Sequence, residues 1–433
     1  METFSNHLFP ETVRASLRHR TIRLNLTGTF GCKKFFFSFL ILSMFICVNP
    51  WFQDAVSAQT MTGIDVLETQ KFASLAGKRV GLITNQTGVD RDGRSTIDLL
   101  AHAPGVKLAA LFSPEHGIRG SSDARVSSST DQATGLPIYS LYGETERPTD
   151  AMLAGLDALV FDIQDAGVRF YTYVTTMGYA MEAAAAHHIS FYILDRPDPL
   201  GGDRIEGPML DPDRTNFVGY FPMPVRMAMT LGEMAQMFDS EKKIGCDLHV
   251  VRMKNWRRKM WFRDTGVLWI NPSPNLRSEE AGILYPGLEI LQAGGVSVGR
   301  GTETPLEIVG APWIRSEEFT AYLNRRAIPG VRFESQKFTP DSGIFKGELC
   351  EGVHVVLSDR NALQSMRMGI EIAAALSKLY PGKFEVGKMM TLLGNAETIK
   401  QLQGGRDPAS IVNSWTSDLE SFRKMRAKYL LYP

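Results

Sequence analysis

The sequence predicts an α/β protein: a doubly wound parallel sheet followed by a smaller α/β or α+β domain. Apolar runs alternate with helix-patterned segments across residues 80–194, the pattern of strands joined by helical crossovers. The three clearest runs each end in a polar cluster: Glu115-His116, then Asp162-Ile163-Gln164-Asp165, then Asp195-Arg196-Pro197. An open α/β sheet places its ligand chemistry there, at the carboxyl ends of the strands. Three successive strands ending in charge read as one site.

Residues 1–58 read as an export signal. Lys33-Lys34 precede an apolar core over 35–48, and Val56-Ser57-Ala58 offers small residues for cleavage after Ala58. That core is shorter than the roughly 20 residues a membrane span needs, so no stable membrane anchor is expected. The expected location is periplasmic or secreted. Cys47 is a weak lipobox candidate, because bulky Phe45 and Ile46 precede it.

Past that segment only Cys246 and Cys350 remain, so disulfides do not define the scaffold. Lys and Arg number 47, as do Asp and Glu, and this balance gives no reason to expect nucleic acid as a partner. There is no G-x-x-x-x-G-K-[ST] phosphate loop, no G-x-S-x-G elbow and no zinc-type Cys/His spacing. The glycines of the alternating region do not form G-x-G-x-x-G either. Neither a cofactor nor a metal is expected.

The first domain is read as residues 59–270. A helix over 64–75 leads to a strand that runs into Asn85-Gln86, placed as ligand contacts or as turn formers. A helix over 95–102 and a strand over 106–112 then deliver the Ser113-Pro114-Glu115-His116-Gly117-Ile118-Arg119-Gly120 loop. Glu115, His116 and Arg119 supply carboxylate, imidazole and guanidinium, beside glycines that let a ligand approach the backbone. An isolated Glu-His pair would usually be a solvated turn, and the two further clusters change that balance. Residues 121–135 are polar and expected to cover the site, before a strand over 136–143 and a helix over 149–156.

The strand starting at Leu156 is apolar enough to be buried on both faces. Asp162, Gln164, Asp165 and Arg169 cluster at its exit, and one aspartate is accounted for as a helix cap. Tyr171 and Tyr173 add aromatic faces with hydroxyl tips, suited to a sugar ring. A helix over 177–188 and a strand over 189–194 lead to Asp195, and Glu206-Gly207-Pro208 is expected in a loop at the rim. Thr230 and Glu233 make a capping box, a strand follows over 246–253, and the basic, aromatic 256–261 stretch reads as a solvated face.

The second domain is read as residues 271–433, beginning in the loop Asn271-Pro272-Ser273-Pro274-Asn275. Arg300 lies between glycines, placed to meet an anion or to pair with Glu303. Helices are expected over 318–326, 365–380 and 411–429, and a strand over 353–357.

These motifs occur in a recognisable order. They are the Glu115 loop, Phe161-Asp162-Ile163-Gln164-Asp165, Arg169-Phe170-Tyr171-Thr172-Tyr173, Leu194-Asp195-Arg196-Pro197, Glu206-Gly207-Pro208, Asn271 to Asn275, Tyr285-Pro286-Gly287 and Val298-Gly299-Arg300-Gly301-Thr302. On them the chain resembles the NamZ-type exo-β-N-acetylmuramidases over residues 64–433. The resemblance implies a Rossmann-like domain bearing the site, a smaller C-terminal auxiliary α/β domain, and a cleft between them. It also implies release of N-acetylmuramic acid from the non-reducing end of peptidoglycan fragments. The expected partners are muropeptides or disaccharides of N-acetylmuramic acid and N-acetylglucosamine.

Glycoside cleavage needs an acid for the leaving oxygen and a second carboxylate as nucleophile or base. Glu115 is the candidate acid/base, with His116 beside it. Glu206, Asp162 and Asp165 are candidates for the second group, unless the 2-acetamido group attacks its own anomeric carbon. Arg169, Arg119 and Arg300 are candidates for the lactyl carboxylate; Asn85, Gln164, Tyr171, Tyr173 and Asp195 complete the expected binding set. Two alternatives stay open. One is a metal-dependent amidase or esterase using Asp162, Asp165, Asp195 and His116; the other is a periplasmic muropeptide-binding protein without turnover.

Overall fold

The computed structural model describes residues 59–122 and 125–433. The expected export signal and Cys47 lie outside the described residues. The first sheet is built from β1 (Arg79–Thr84), β2 (Lys107–Ser113), β3 (Ser129–Thr130), β4 (Pro137–Ser140), β5 (Ala158–Asp162) and β6 (Ser190–Leu194). β7 (Glu206–Met209) and β8 (Pro224–Arg226) form a separate two-stranded ribbon, and β9 (Leu248–Val251) returns to the sheet. The order is β3-β4-β2-β1-β5-β6-β9, parallel except for the edge strand β3.

Helices α1 (Gly63–Thr69), α2 (Thr96–Ala101), α3 (Asp150–Leu153), α4 (Tyr173–Ala186) and α5 (Leu231–Lys242) accompany these strands. α1 packs on β6 and β9 and α2 on β2, while α4 and α5 pack on each other and on β6. Both faces of the sheet are therefore covered. Val80, Leu82, Leu111 and Val160 sit in one core cluster; Ile83, Phe112, Leu159 and Phe161 sit in another. Burial on both sides is why these strands read as unbroken apolar runs rather than alternating ones. Strand order reverses at β1, with β2 on one side and β5 on the other, which opens a crevice at their carboxyl ends.

The chain then forms α6 (Glu279–Gln292), β10 (Ile308–Ala311), α7 (Ser316–Arg325), β11 (Val331–Phe338), β12 (Cys350–Leu357) and α8 (Ser365–Leu379). α9 (Met390–Leu393), α10 (Ala396–Gln403), α11 (Pro408–Ser414) and α12 (Thr416–Arg426) complete it. The second sheet, β10-β12-β11, is antiparallel. One apolar core includes Phe161 and Phe191 of the first sheet together with Val309, Val353 and Ile372.

Some expectations need correcting. Glu206-Gly207-Pro208 is not a rim loop: it is strand β7, paired with β8 across an irregular register, where Gly207 has φ 87°. A bulge tolerates glycine and a proline that donates no hydrogen bond. The helix expected over 411–429 is two helices meeting at Trp415, whose buried indole donates to Thr398 at 3.0 Å. Helix α6 escaped notice because Pro286 and Gly287 lie inside it. Gly287 is there for close contact: a Cβ would lie 2.1 Å from the Ser365 carbonyl oxygen on α8. The 256–261 stretch is not a solvated face, since Trp256 and Arg258 are buried and Arg258 pairs with Glu233. Cys246 and Cys350 are both free thiols. Among the described residues no helix is long and apolar enough to cross a membrane.

Candidate active site

β2 ends at buried Ser113, and the chain turns sharply through Pro114. His116 has φ 69° and Gly117 φ 80°. A left-handed histidine is a strained position, held here by a 2.8 Å contact between its Nδ1 and the Ser122 carbonyl. The turn leaves Glu115 half-buried at the crevice rather than projecting freely into solvent.

From the β5 side the chain brings Thr172, which precedes α4. Its hydroxyl donates to Glu115 Oε2 at 2.5 Å. From beyond β4 comes Tyr142, half-buried and stacked on Phe217 with centroids 5.9 Å apart. Burial, and then the adjacent Glu115 carboxylate, push the Tyr142 phenol up to about 12. Glu115 is thus held by the Thr172 hydroxyl, with the Tyr142 phenol close by.

Beside it lies an aromatic nest. Tyr171 meets Tyr173 edge-on at 4.8 Å, and Tyr285 of α6 meets Tyr171 at 6.0 Å. Tyr173 donates to the Pro272 carbonyl at 2.8 Å and accepts from Asn85 Nδ2 at 2.9 Å. Burial raises all three phenols; the charges of Glu115 and Asp165 reinforce the rise in Tyr173 and Tyr285. The segment after β5, helix α6 and the Asn271 to Asn275 loop therefore meet at one place, where Tyr173 binds the Pro272 carbonyl.

Asp165 is buried in this region. One oxygen accepts from Gly167 N at 2.8 Å, and the other has no hydrogen-bond partner among the described residues. Burial, then the charge of Asp198, raise its pKa to about 7. Asp198 is likewise buried and raised to about 7, with one oxygen similarly unpartnered.

The other expected residues serve the framework. Asp162 is fully buried, with both oxygens bound by Arg196 at 2.6 and 2.9 Å, and it also accepts from Thr96. Asp195 accepts from Thr230, Gly232 N, Arg196 N and Tyr432. Glu206 pairs with Arg226 at 2.7 Å and accepts from Met366 N. Gln164 binds the carbonyls of Asp165 and Pro197, and Asn85 accepts from Thr87 while donating to Tyr173. Arg169 is fully buried and donates to four carbonyls, of Pro208, Met223, Leu392 and Leu393. Burial pushes its pKa down to about 9. Arg119 is exposed, 3.5 Å from Asp131, and Arg300 pairs with Glu289 at 2.8 Å rather than with Glu303.

Glu115, His116, Asp165, Tyr171 and Tyr173 are brought together, whereas Asp162, Asp195, Glu206 and Arg169 are turned inward. The four ligands of the metal reading do not converge: among the described residues no group of three His, Cys, Asp or Glu could hold an ion. Sequence reasoning passed over Thr172 and Tyr142. Thr172 sat inside a quoted motif, and its place just before a helix was the available signal.

The sequence models described as exo-β-N-acetylmuramidase NamZ, N-terminal and C-terminal, match residues 80–280 and 283–432. The chain is 44% identical over 385 residues to the peptidoglycan β-N-acetylmuramidase NamZ of Bacillus subtilis (strain 168), covering 88% of this chain and 93% of that one. Crystal structures of two DUF1343 family proteins from Bacteroides fragilis NCTC 9343 superpose on it. One has a TM-score of 0.81 at 39% identity, the other 0.71 at 30%; each alignment covers 87% of this chain and 99% of the other. The chain belongs to the NamZ family of exo-β-N-acetylmuramidases.

Proposed function

We propose that this protein is an exo-acting glycoside hydrolase releasing N-acetylmuramic acid from the non-reducing end of peptidoglycan fragments, with Glu115 as general acid/base. One observation carries the assignment: Glu115 is the carboxylate that stands half-buried at the crevice, held by Thr172 and flanked by tyrosines. A carboxyl group fixed by one oxygen keeps the other free to serve the leaving glycosidic oxygen.

Of the three candidates for the second group, Asp162 and Glu206 are consumed by Arg196 and Arg226. Asp165 keeps an unpartnered oxygen, and a pKa near 7 lets it hold or release a proton at working pH. That suits an aspartate polarising the substrate's 2-acetamido group better than one acting as a permanently charged nucleophile. The same reading divides the chain into a catalytic part, 59–270, and an auxiliary part, 271–433. It places the mature protein outside the cytoplasm, where muropeptides or their disaccharides are met.

The test is incubation with a chromogenic β-N-acetylmuramide and the matching β-N-acetylglucosaminide, each with and without EDTA. Hydrolysis of the muramide alone, insensitive to chelator, is expected. Activity lost to EDTA and restored by zinc would return the metal-dependent alternative. Tight muropeptide binding without turnover would make the protein a binding protein.

A further inference from the structure

The lactyl ether on N-acetylmuramic acid carries a carboxylate on the same ring whose anomeric carbon faces the acid/base. A cation that reads it has to stand within about one sugar width of Glu115, with its fork open. Most candidate arginines are committed elsewhere. Arg169 is spent on carbonyls, Arg196 on Asp162, and Arg300 on Glu289 and Gln292.

Arg125 differs. It belongs to the polar segment between β2 and β3, beside Val126, which reaches back to the Glu115 turn. A Cβ on Gly117 would lie 3.5 Å from Val126 Cγ2, and Val126 N donates to the Tyr142 carbonyl at 3.0 Å. Arg125 is exposed, and one NH donates to the Gly143 carbonyl at 3.3 Å. Among the described residues it has no ion pair, Glu144 on the same wall included. The rest of the guanidinium remains available as a bidentate edge for a carboxylate.

Arg125 also lines a cleft of about 790 Å³ with Ser128, Ser140, Glu144, Thr145 and Thr149. Its charge and that of Glu115 both act on the Tyr142 phenol, so cation and acid both stand near that one side chain. The hydroxyl-rich wall suits a polar ring substituent.

We propose that Arg125 recognises the lactyl carboxylate of the terminal N-acetylmuramic acid and so sets the preference for muramic acid over glucosamine. This rests on the reading of Glu115 as acid/base.

The test compares a chromogenic β-N-acetylmuramide with its lactyl methyl ester, on wild type, Arg125→Ala, Arg125→Lys and Arg119→Ala. Wild type should favour the free acid by roughly ten- to a hundredfold in kcat/KM, the scale of one charge-assisted contact. Arg125→Ala should lose that ratio, chiefly through KM, with an unchanged melting temperature. Arg125→Lys should recover part of it, and Arg119→Ala should keep it. A wild-type acid-to-ester ratio in Arg125→Ala overturns the inference. If Arg125→Ala loses the ratio while Glu115→Gln stays active, the inference stands and the Glu115 assignment falls. No muramide turnover by wild type removes both.

Discussion

The Thr172 hydroxyl donates to Glu115 Oε2 at 2.5 Å, so the loop after β2 and the start of α4 share one hydrogen bond across the crevice. The two residues are 57 positions apart in sequence. They meet because β2 and β5 flank β1, which brings the ends of both strands to the same side of the sheet.

In the proposed mechanism that bond holds Glu115 Oε2 and leaves Oε1 for the substrate. Thr172→Val should lower kcat about tenfold while leaving KM within a few-fold, because it removes a contact worth roughly 1.5 kcal/mol to a charged group. Thr172→Ser should restore most of the rate. Equal losses in both variants, matched by a lower melting temperature, would reduce Thr172 to a packing role.

Glu115→Gln keeps size and one acceptor but cannot give up a proton. It should fold normally, retain ligand binding and lose turnover by 10²–10⁴-fold, the usual scale of general acid–base catalysis. An aryl glycoside with a very good leaving group should suffer less in the cleavage step than a natural disaccharide. Near-normal rates on the disaccharide would take Glu115 out of the mechanism.

Burial and Asp198 raise Asp165 from 3.8 to about 7, so the folded state holds a proton that the unfolded chain has released. The stability this group contributes is complete below about pH 4 and is lost as pH rises through 7. Asp165→Asn should therefore be more stable than wild type at pH 8, by on the order of a few kcal/mol. The difference should close toward pH 4. Urea titrations at the two pH values check it, and a gap independent of pH would contradict it.

Asp162 ties β5 to Arg196 in a fully buried pair. Asp162→Ala leaves a buried guanidinium without a counter-charge and should cost about 3–5 kcal/mol. Denaturation midpoints would reveal it. Loss of activity at wild-type stability would instead restore Asp162 to the site.

The sequence by itself determined the alternation of strands and helices, the parallel sheet and the place of Glu115 at a strand exit. Those features are local: apolar runs, caps and breakers act over a few residues. Which carboxylates face the crevice was decided only by the tertiary structure. Asp162 and Asp165 stand at the same strand end and look alike in sequence, yet Arg196 takes the first and leaves the second with an unpartnered oxygen. Arg169 sits in the most site-like motif but is turned onto carbonyls as distant as Leu393. Arg125, in a segment read only as polar, is exposed beside the crevice and, among the described residues, makes one hydrogen bond, to the Gly143 carbonyl. Partner choice depends on which loops the sheet order brings together, and charged residues carry no mark of that order in their own neighbourhood.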